Sequence, residues 1–166
     1  YINKLKQRIM SSSLLCDSDK ETVLKYLRVI DKNEICHGDY HPENVFVDHN
    51  YNFRVIDWAN MFVGNKYMDM ARTYYLIKLG ETVDRKTKPG KLIEWFGRQF
   101  IARLYWKEVS KEEEEEIEKY FWPCFFIVTL IRYDENIERE KRWIRKYVMK
   151  NKKKMLKAMD IRECTS

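Results

Sequence analysis

The sequence predicts a single, mainly α-helical unit with one small β-hairpin, and three observations lead to this fold class. Apolar residues recur at helical spacing before residue 30 and again after residue 58. Two short runs rich in β-branched and aromatic residues, at 44–47 and 53–56, lie between these segments. The length of 166 residues and the hydrophobic fraction of 45% fit one domain that can bury a core.

The segment up to about Ile30 predicts helix. Ser18 and Glu21 have the spacing of a capping box, in which each side chain bonds the backbone N–H of the other residue. Val23 and Leu27 then recur with Ile30 on one helical face. We therefore expect this stripe to pack against the core.

The two β-like runs predict a hairpin, because residues 48–52 between them are rich in turn-forming Asp and Asn. Asn44 stands where the first strand begins, and Asp57 follows the end of the second. Antiparallel partners lie side by side. The hairpin is therefore expected to bring Asn44 close to Asp57.

After Trp58 the pattern predicts helices throughout. One is expected from Asp69 to Leu79, with Gly80 as its stop, and a second over about residues 91–108. No internal repeat or long linker interrupts the chain. The whole of residues 1–166 is thus predicted to form one domain.

The last third of the chain predicts further helices. Ser110 begins another capping-box pattern, which opens a helix through the acidic run 112–116, and this run is expected to be a solvated face. Residues 122–131 are strongly apolar and are expected to be buried. A final helix is predicted from about residue 134, with two i,i+4 ion pairs: Glu135 with Arg139, and Glu138 with Arg142.

Composition excludes several classes of protein. No apolar run approaches the ~20 residues that a membrane span needs, so no membrane association is expected. The four cysteines lack a C-x-x-C pair, which favours reduced thiols in the cytoplasm over a disulfide or zinc scaffold. The net charge of +6 comes largely from the basic segment 142–157, which predicts a solvated helix or tail. Nucleic-acid binding is not expected, since no recognised module accompanies that segment.

Asp39, Asn44 and Asp57 are the candidate functional residues. Carboxylate and amide oxygens are hard donors that suit Mg²⁺, which proteins hold with one or two carboxylates plus substrate phosphates. Phosphoryl transfer needs mostly positioning and charge neutralisation, with one further carboxylate to accept the proton of the attacking hydroxyl. The alternative is that turns simply favour Asp and Asn.

The stretch from His37 to Asn44 reads H-G-D-Y-H-P-E-N, and residues 56–58 read I-D-W. These two motifs resemble the catalytic loop H-G-D-x-H-x-x-N and the metal motif I-D-W of the aminoglycoside phosphotransferase and choline kinase-like family. The similarity continues at Gly64 and at the segment 69–72, D-M-A-R. Specific agreement covers about residues 35–79.

This resemblance implies the helical C-terminal lobe of a protein-kinase-like phosphotransferase, with catalytic loop and metal hairpin at residues 35–58. Asp39 would be the catalytic base, and Asn44 and Asp57 would hold Mg²⁺ between the phosphates of ATP or GTP. The acceptor would be a small hydroxylated compound, aminoglycoside-, choline- or sugar-like. In some members acidic residues of the helical lobe attract cationic substrates, which is an alternative role for the run 112–116.

The resemblance also implies residues that support the loop. Asp69 would brace the catalytic loop from the helix below, although an N-cap role is an equal alternative for an Asp at a helix start. His37 would have a similar bracing role. His41 would either hold the loop by a hydrogen bond or lie near the transferred phosphate.

The upper, nucleotide-binding lobe of such a kinase is expected to be absent from this sequence. Only 36 residues precede His37, they read as helix, and Gly38 is the first glycine. Together with a first residue that is not Met, this predicts a piece of a longer protein, with apolar surface that favours self-association. A catalytically inactive kinase-like binding or structural protein is the alternative function.

Overall fold

The computed structural model describes residues 2–80, 88–134 and 138–160, which are mostly helical. Its longer helices are α1 (Ile2–Ser11), α2 (Asp17–Val29), α3 (Lys66–Leu79), α4 (Lys88–Val109), α6 (Trp122–Asp134) and α7 (Glu138–Met159), with a single turn, α5 (Glu114–Glu116), before α6. Its strands are β1 (Glu34–Cys36), β2 (Val45–Val47), β3 (Phe53–Val55) and β4 (Phe62–Gly64). The predicted mainly helical class is therefore correct.

Helix α6 forms the centre of the core and packs between α3 and α7. Its side chains Phe126, Ile127 and Leu130 are almost completely buried. Burial of an apolar side chain of this size contributes about 1.5–3 kcal/mol. The predicted burial of residues 122–131 is confirmed, apart from partial exposure of Trp122.

The predicted hairpin is present as the antiparallel pair β2–β3, in which Val45 faces Val55 and Val47 faces Phe53. Asp48 closes its turn, because its Oδ1 accepts from the backbone N–H groups of Asn50 and Asn52 at 2.8 and 2.9 Å. A second antiparallel pair, β1–β4, was not predicted. Its strands are three residues long and carry little periodic signal.

The predicted starts of α2 and α3 were wrong by two and three residues, respectively. α2 begins at Asp17 with Cys16 as N-cap, and Asp19, rather than Glu21, accepts from the N-cap N–H at 3.3 Å. α3 begins at Lys66, because the side chain of Asn65 accepts from the N–H of Tyr67 at 2.8 Å and caps the helix. Its end before Gly80 is as predicted.

The acidic run is only partly a solvated face, and Ser110 does not cap a helix. The N-cap of α5 is Glu113, and a π-helical turn at Ile117–Phe121 joins α5 to α6. Glu112 and Glu116 accept hydrogen bonds from the hydroxyl of Tyr67 at 3.4 and 2.9 Å. These two carboxylates therefore tie the segment to the start of α3, while the three between them are exposed.

Helix α7 begins at Glu138, which pairs with Lys141 at 2.7 Å rather than with the expected Arg142. The expected pair of Glu135 and Arg139 lies outside the described side chains. Within the ranges described above, no helix combines the length and the apolar character needed to cross a bilayer.

Candidate functional site

The candidate catalytic loop connects β1 to β2 and makes a sharp turn at Gly38. The φ angle of Gly38 is +78°, in the left-handed region that favours glycine. A Cβ at this position would overlap the carbonyl oxygen of Asn60. Glycine is therefore required here by both backbone conformation and space.

The carboxylate of Asp69 holds this turn from below. Its Oδ2 accepts from the backbone N–H of His37 and its Oδ1 from that of Gly38, both at 2.8 Å. Asp69 is the fourth residue of α3 and so is not its N-cap. Its two bonds are of the kind expected of a residue that braces the loop.

Arg72 is a site residue to which the sequence analysis assigned no role. Its Nε donates to the carbonyl oxygen of Gly38, and its Nη2 lies 3.4 Å from Oδ1 of Asp39. Arg72 follows Asp69 by three residues, so both side chains lie on the same face of α3. That spacing was the sequence signal that could have identified it.

Asp39 is a partly accessible carboxylate, with 23% of its side chain exposed. Besides Arg72 on Oδ1, it has His41 Nε2 at 3.8 Å from Oδ2. Its backbone N–H donates to Nδ1 of His37 at 3.2 Å. The carboxylate thus lies between Arg72 and His41 and is still reachable by a substrate.

His37 joins the loop to the strand that precedes Asp57. Its ring is buried, and its Nε2 lies 2.8 Å from the carbonyl oxygen of Ile56, to which it donates. The indole of Trp58 packs against the ring, with centroids 4.6 Å apart. His37 therefore has contacts that fit a bracing role.

Asn44 ends a short 3₁₀ turn at Pro42–Asn44, immediately before β2, and is buried. Its Nδ2 donates to the carbonyl oxygen of Asp39 at 3.0 Å and lies 3.3 Å from Nε2 of His41. His41 thus contacts the side chain of Asn44, at the end of the catalytic loop. The amide oxygen of Asn44 makes no hydrogen bond within the described part of the chain, so it can serve as a metal ligand.

Asp57 follows β3 and is exposed, with φ and ψ of 59° and 60°. The N–H of the preceding Ile56 donates to the backbone oxygen of Asn44 at 3.0 Å. The hairpin therefore places Asp57 beside Asn44, as expected. Left-handed backbone at a residue other than glycine is uncommon and concentrates at functional sites.

Asn44 and Asp57 together offer an amide oxygen and a carboxylate to a metal ion. Among the described residues, no group of three or more His, Cys, Asp or Glu side chains converges to hold a metal ion. Mg²⁺ commonly takes one or two protein oxygens and completes its octahedron with phosphates and water. The two oxygen-bearing side chains fit such an ion and would not suffice for a structural metal.

Cys36 adjoins the loop but is unsuited to nucleophilic catalysis. Burial, with the carboxylates of Asp69 and Glu34 as further causes, raises the pKa of its thiol to about 12. The thiolate is the reactive form of cysteine. Cys36 is therefore not a suitable nucleophile near neutral pH.

The sequence around this site was compared with models of known protein families. Residues 20–104, just over half of the chain, match the model of the phosphotransferase enzyme family, APH. The chain belongs to this family. The match begins in α2, contains both motifs, the hairpin and α3, and ends within α4. Searches of curated proteins and of solved structures found no match.

Membership of the phosphotransferase family indicates kinase-type chemistry at a coarse level. The matched segment contains Asp39, Asn44 and Asp57 together with Asp69 and Arg72. In phosphoryl transfer the protein contributes mostly positioning and electrostatic stabilisation. A rigid loop with one oriented carboxylate and two adjacent metal-compatible oxygens can provide both.

Proposed function

We propose that this chain is the helical lobe of a kinase that transfers the γ-phosphate of ATP or GTP to the hydroxyl of a small molecule. The acceptor class is aminoglycoside-, choline- or sugar-like. One observation carries the proposal: the loop that presents Asp39 is bonded at Asn44 to the strand end that presents Asp57. The proposed base, Asp39, and the two proposed metal ligands, Asn44 and Asp57, are thereby held close together.

Asp39 is the proposed catalytic base. Its Oδ1 lies near Arg72, and Oδ2 is more than hydrogen-bond distance from His41. This leaves Oδ2 as the oxygen that can orient an acceptor hydroxyl and accept its proton. Arg72 places a positive charge beside the other oxygen of this carboxylate.

Asn44 and Asp57 are the proposed metal ligands. Mg²⁺ held there would neutralise charge on the nucleotide phosphates during transfer. The amide oxygen of Asn44 is fixed by the bonds that its Nδ2 makes. Asp57 contributes an exposed carboxylate that can meet a metal–nucleotide complex arriving from solvent.

We further propose that an upper lobe covers the nucleotide. Across the described ranges the strands form two separate pairs of three-residue strands, and neither resembles a phosphate-covering sheet. Kinases need a loop over the phosphates and a Lys that contacts them. These parts are assigned to a lobe outside the helical unit.

The test is phosphate transfer by the longest natural polypeptide that contains this chain. The assay follows γ-phosphate from ATP and GTP to a panel of hydroxylated amines and sugars, with and without Mg²⁺. Acceptor-stimulated transfer that needs Mg²⁺ and falls at least ~10³-fold in Asp39→Ala is the expected result. Asp17→Ala, which removes an exposed carboxylate on α2, is the matched control. Transfer that survives Asp39→Ala would refute the proposed base.

A kinase-like binding protein without catalysis is the second candidate. The limited strand content of the described residues favours it. Magnesium-dependent nucleotide binding without transfer to any acceptor would select this function over the kinase. The unpaired thiols of Cys16, Cys36 and Cys124 support a cytoplasmic location for either.

Self-association of the isolated chain is part of the proposal. Helix α4 exposes a continuous apolar face: Leu92, Ile93, Trp95, Phe96, Phe100, Ile101 and Leu104. Monomeric proteins rarely expose apolar patches larger than a few hundred Å². Sedimentation velocity at increasing concentration is expected to show dimers or larger species that Ile93→Lys/Phe100→Lys abolishes. Met149→Lys, an exposed residue of α7, is the control and should leave the association unchanged.

A further inference from the structure

Helix α7 concentrates positive charge to a degree that the core does not require. Residues 142–157 contain eight Lys and Arg residues and no acidic residue. Two of the eight are used within the fold, because Lys152 pairs with Asp19 at 2.5 Å and Lys154 pairs with Glu118 at 3.2 Å. The other six make no ion pair with any described residue.

Five of these six cations lie in one row on the exposed side of α7, which we name the basic stripe: Arg142, Lys146, Lys150, Lys153 and Lys157. Spacings of three and four residues keep them on one face of the helix, over a length of about 22 Å. The opposite face of α7 is buried in the core, where Ile144 and Val148 are fully inaccessible. The packing of α7 therefore holds the basic stripe at the surface.

The charge of the basic stripe is not neutralised by the rest of the sequence. The segments outside the described ranges hold four acidic residues and three basic ones. Even if all of them lay against α7, they would offset one of the five positive charges. Like charges at these spacings repel one another along a helix. An anionic partner would therefore relieve this repulsion as well as supply attraction.

Two further side chains border the basic stripe and indicate the kind of partner. Met149 is 67% exposed and Trp143 is 37% exposed, and the helical period places them on opposite sides of the stripe. A long apolar side chain and an indole both suit the boundary between lipid headgroups and acyl chains. This face of α7 thus combines positive charge with apolar groups that a bilayer can take up.

The same face fits a nucleic acid less well. Surfaces that bind single strands add aromatic side chains on which the bases stack. The ring of Trp143 already stacks on Tyr147, with centroids 5.1 Å apart, and meets the ring of Tyr75 edge-on at 6.4 Å. A nucleic acid would contact the stripe through its phosphates alone, whereas a bilayer would also contact Met149.

We propose that the basic stripe, with Met149 and Trp143, docks on the surface of a bilayer that contains anionic lipids. Each Lys or Arg held near such a surface adds to the attraction. The sequence predicted no membrane association because it lacks a spanning segment, but binding at the surface of a bilayer needs none. The stripe shares no residue with the candidate site, so this binding does not rest on the proposed kinase function.

The test is flotation of the longest natural polypeptide that contains this chain with vesicles in a density gradient. Only vesicle-bound protein rises with the lipid, so self-associated protein is not counted. Phosphatidylcholine vesicles with about 30% phosphatidylserine are expected to carry the protein upward, and vesicles of phosphatidylcholine alone are not. Raising NaCl from about 0.1 M to about 1 M should release the protein, because the screening length falls from about 10 Å to about 3 Å.

The variant Lys146→Gln/Lys150→Gln/Lys153→Gln tests the stripe itself. It is expected to weaken binding to the anionic vesicles at least about tenfold, since it removes three of the five cations that face the lipid. Glutamine has nearly the helix propensity of lysine. Helix α7 should therefore remain folded in this variant, which circular dichroism measures.

The matched control removes three exposed cations from α1, β3 and α4: Lys4, Arg54 and Lys107. Lys4→Gln/Arg54→Gln/Lys107→Gln lowers the net charge by the same amount as the stripe variant. It should change vesicle binding by less than about threefold, because charges beyond a screening length from the lipid contribute little. Equal losses in the two triple variants would overturn the proposal, because the attraction would then be that of the whole surface.

Three further results would overturn the proposal. The first is no flotation with the anionic vesicles. The second is unchanged vesicle binding in Met149→Ser, which should weaken binding at least about twofold because it removes apolar surface from the contact. The third is an RNA or duplex DNA of mixed sequence that binds more tightly than the vesicles and displaces the protein from them. None of these assays measures phosphate transfer, so failure here is distinguishable from failure of the proposed function.

Discussion

The two halves of the candidate site are held in different ways. The loop that carries Asp39 is tied to α3 through the Asp69 carboxylate and the Arg72 guanidinium. Asp57, which follows the β2–β3 hairpin, is exposed and its backbone is left-handed. The loop that presents the proposed base is held by these bonds, whereas the proposed metal ligand is exposed to solvent.

This difference matches what each half has to do in phosphoryl transfer. A base must meet one hydroxyl in one orientation, and misplacement by about 1 Å can cost 10²-fold in rate. A metal ligand gains its final geometry from Mg²⁺ and the nucleotide phosphates, which supply the remaining donors. The comparison predicts that substitutions on the base side damage folding, while those on the metal side damage binding.

Gly38→Ala should have the largest effect on stability. The added Cβ would overlap the Asn60 carbonyl and strain a residue at positive φ, which together cost about 3 kcal/mol of unfolding free energy. Urea denaturation measures this loss. Gly97→Ala is the control: an added Cβ there meets nothing within 4 Å, so it should stabilise α4 by about 0.5–1 kcal/mol. Equal effects of the two variants would contradict the account of the turn.

Asp69→Asn should have the next largest effect. Asparagine has the same shape but only one acceptor oxygen, so one of the two loop N–H groups that Asp69 binds loses its partner. An unsatisfied buried donor costs about 1–3 kcal/mol. Denaturation of Asp17→Asn, an exposed carboxylate in the first turn of α2, should show a loss of no more than about 0.5 kcal/mol. A similarly small loss for Asp69→Asn would show that the brace is unimportant.

Arg72→Lys should have a smaller effect, about 1 kcal/mol. Lysine keeps the charge but lacks the planar fork that reaches both Gly38 and Asp39. Hydrogen exchange should be faster at the amides of the catalytic loop and unchanged in the hairpin strands. Arg54→Lys, on the exposed side of β3, should change neither. Unaltered exchange rates in the loop would show that Arg72 does not stabilise it.

The sequence predicted the elements whose signal is local. The hairpin followed from β-branched runs around an Asp- and Asn-rich turn, and the site from two short motifs. Two features that were missed depend on distant partners. The start of α3 is set by Asn65, which also donates to the backbone of Ile30 at 2.7 Å, and the β1–β4 pair joins segments far apart in the chain.

The role of Arg72 and the cavity behind Gly38 could not be inferred from the sequence for the same reason. The cavity combines α1, α3 and α6, which meet only in the folded chain. Periodicity identifies the face of one helix, but it does not identify which faces of other helices lie opposite. Contacts between elements therefore decide the features that sequence patterns leave open.

The most direct test of the proposed roles, Asp39 as base and Asp57 as metal ligand, is Mg²⁺-dependent nucleotide binding measured by calorimetry. The protein to use is the longest natural polypeptide that contains this chain. Asp57→Asn should leave folding stability within about 0.5 kcal/mol, because Asn tolerates left-handed backbone. It should weaken binding of the magnesium nucleotide at least about tenfold, since it removes a charged metal ligand. Asp39→Asn should keep binding within about threefold while losing transfer. Equal losses of binding in both variants, or binding that does not depend on Mg²⁺, would contradict the assignment of base and metal ligand.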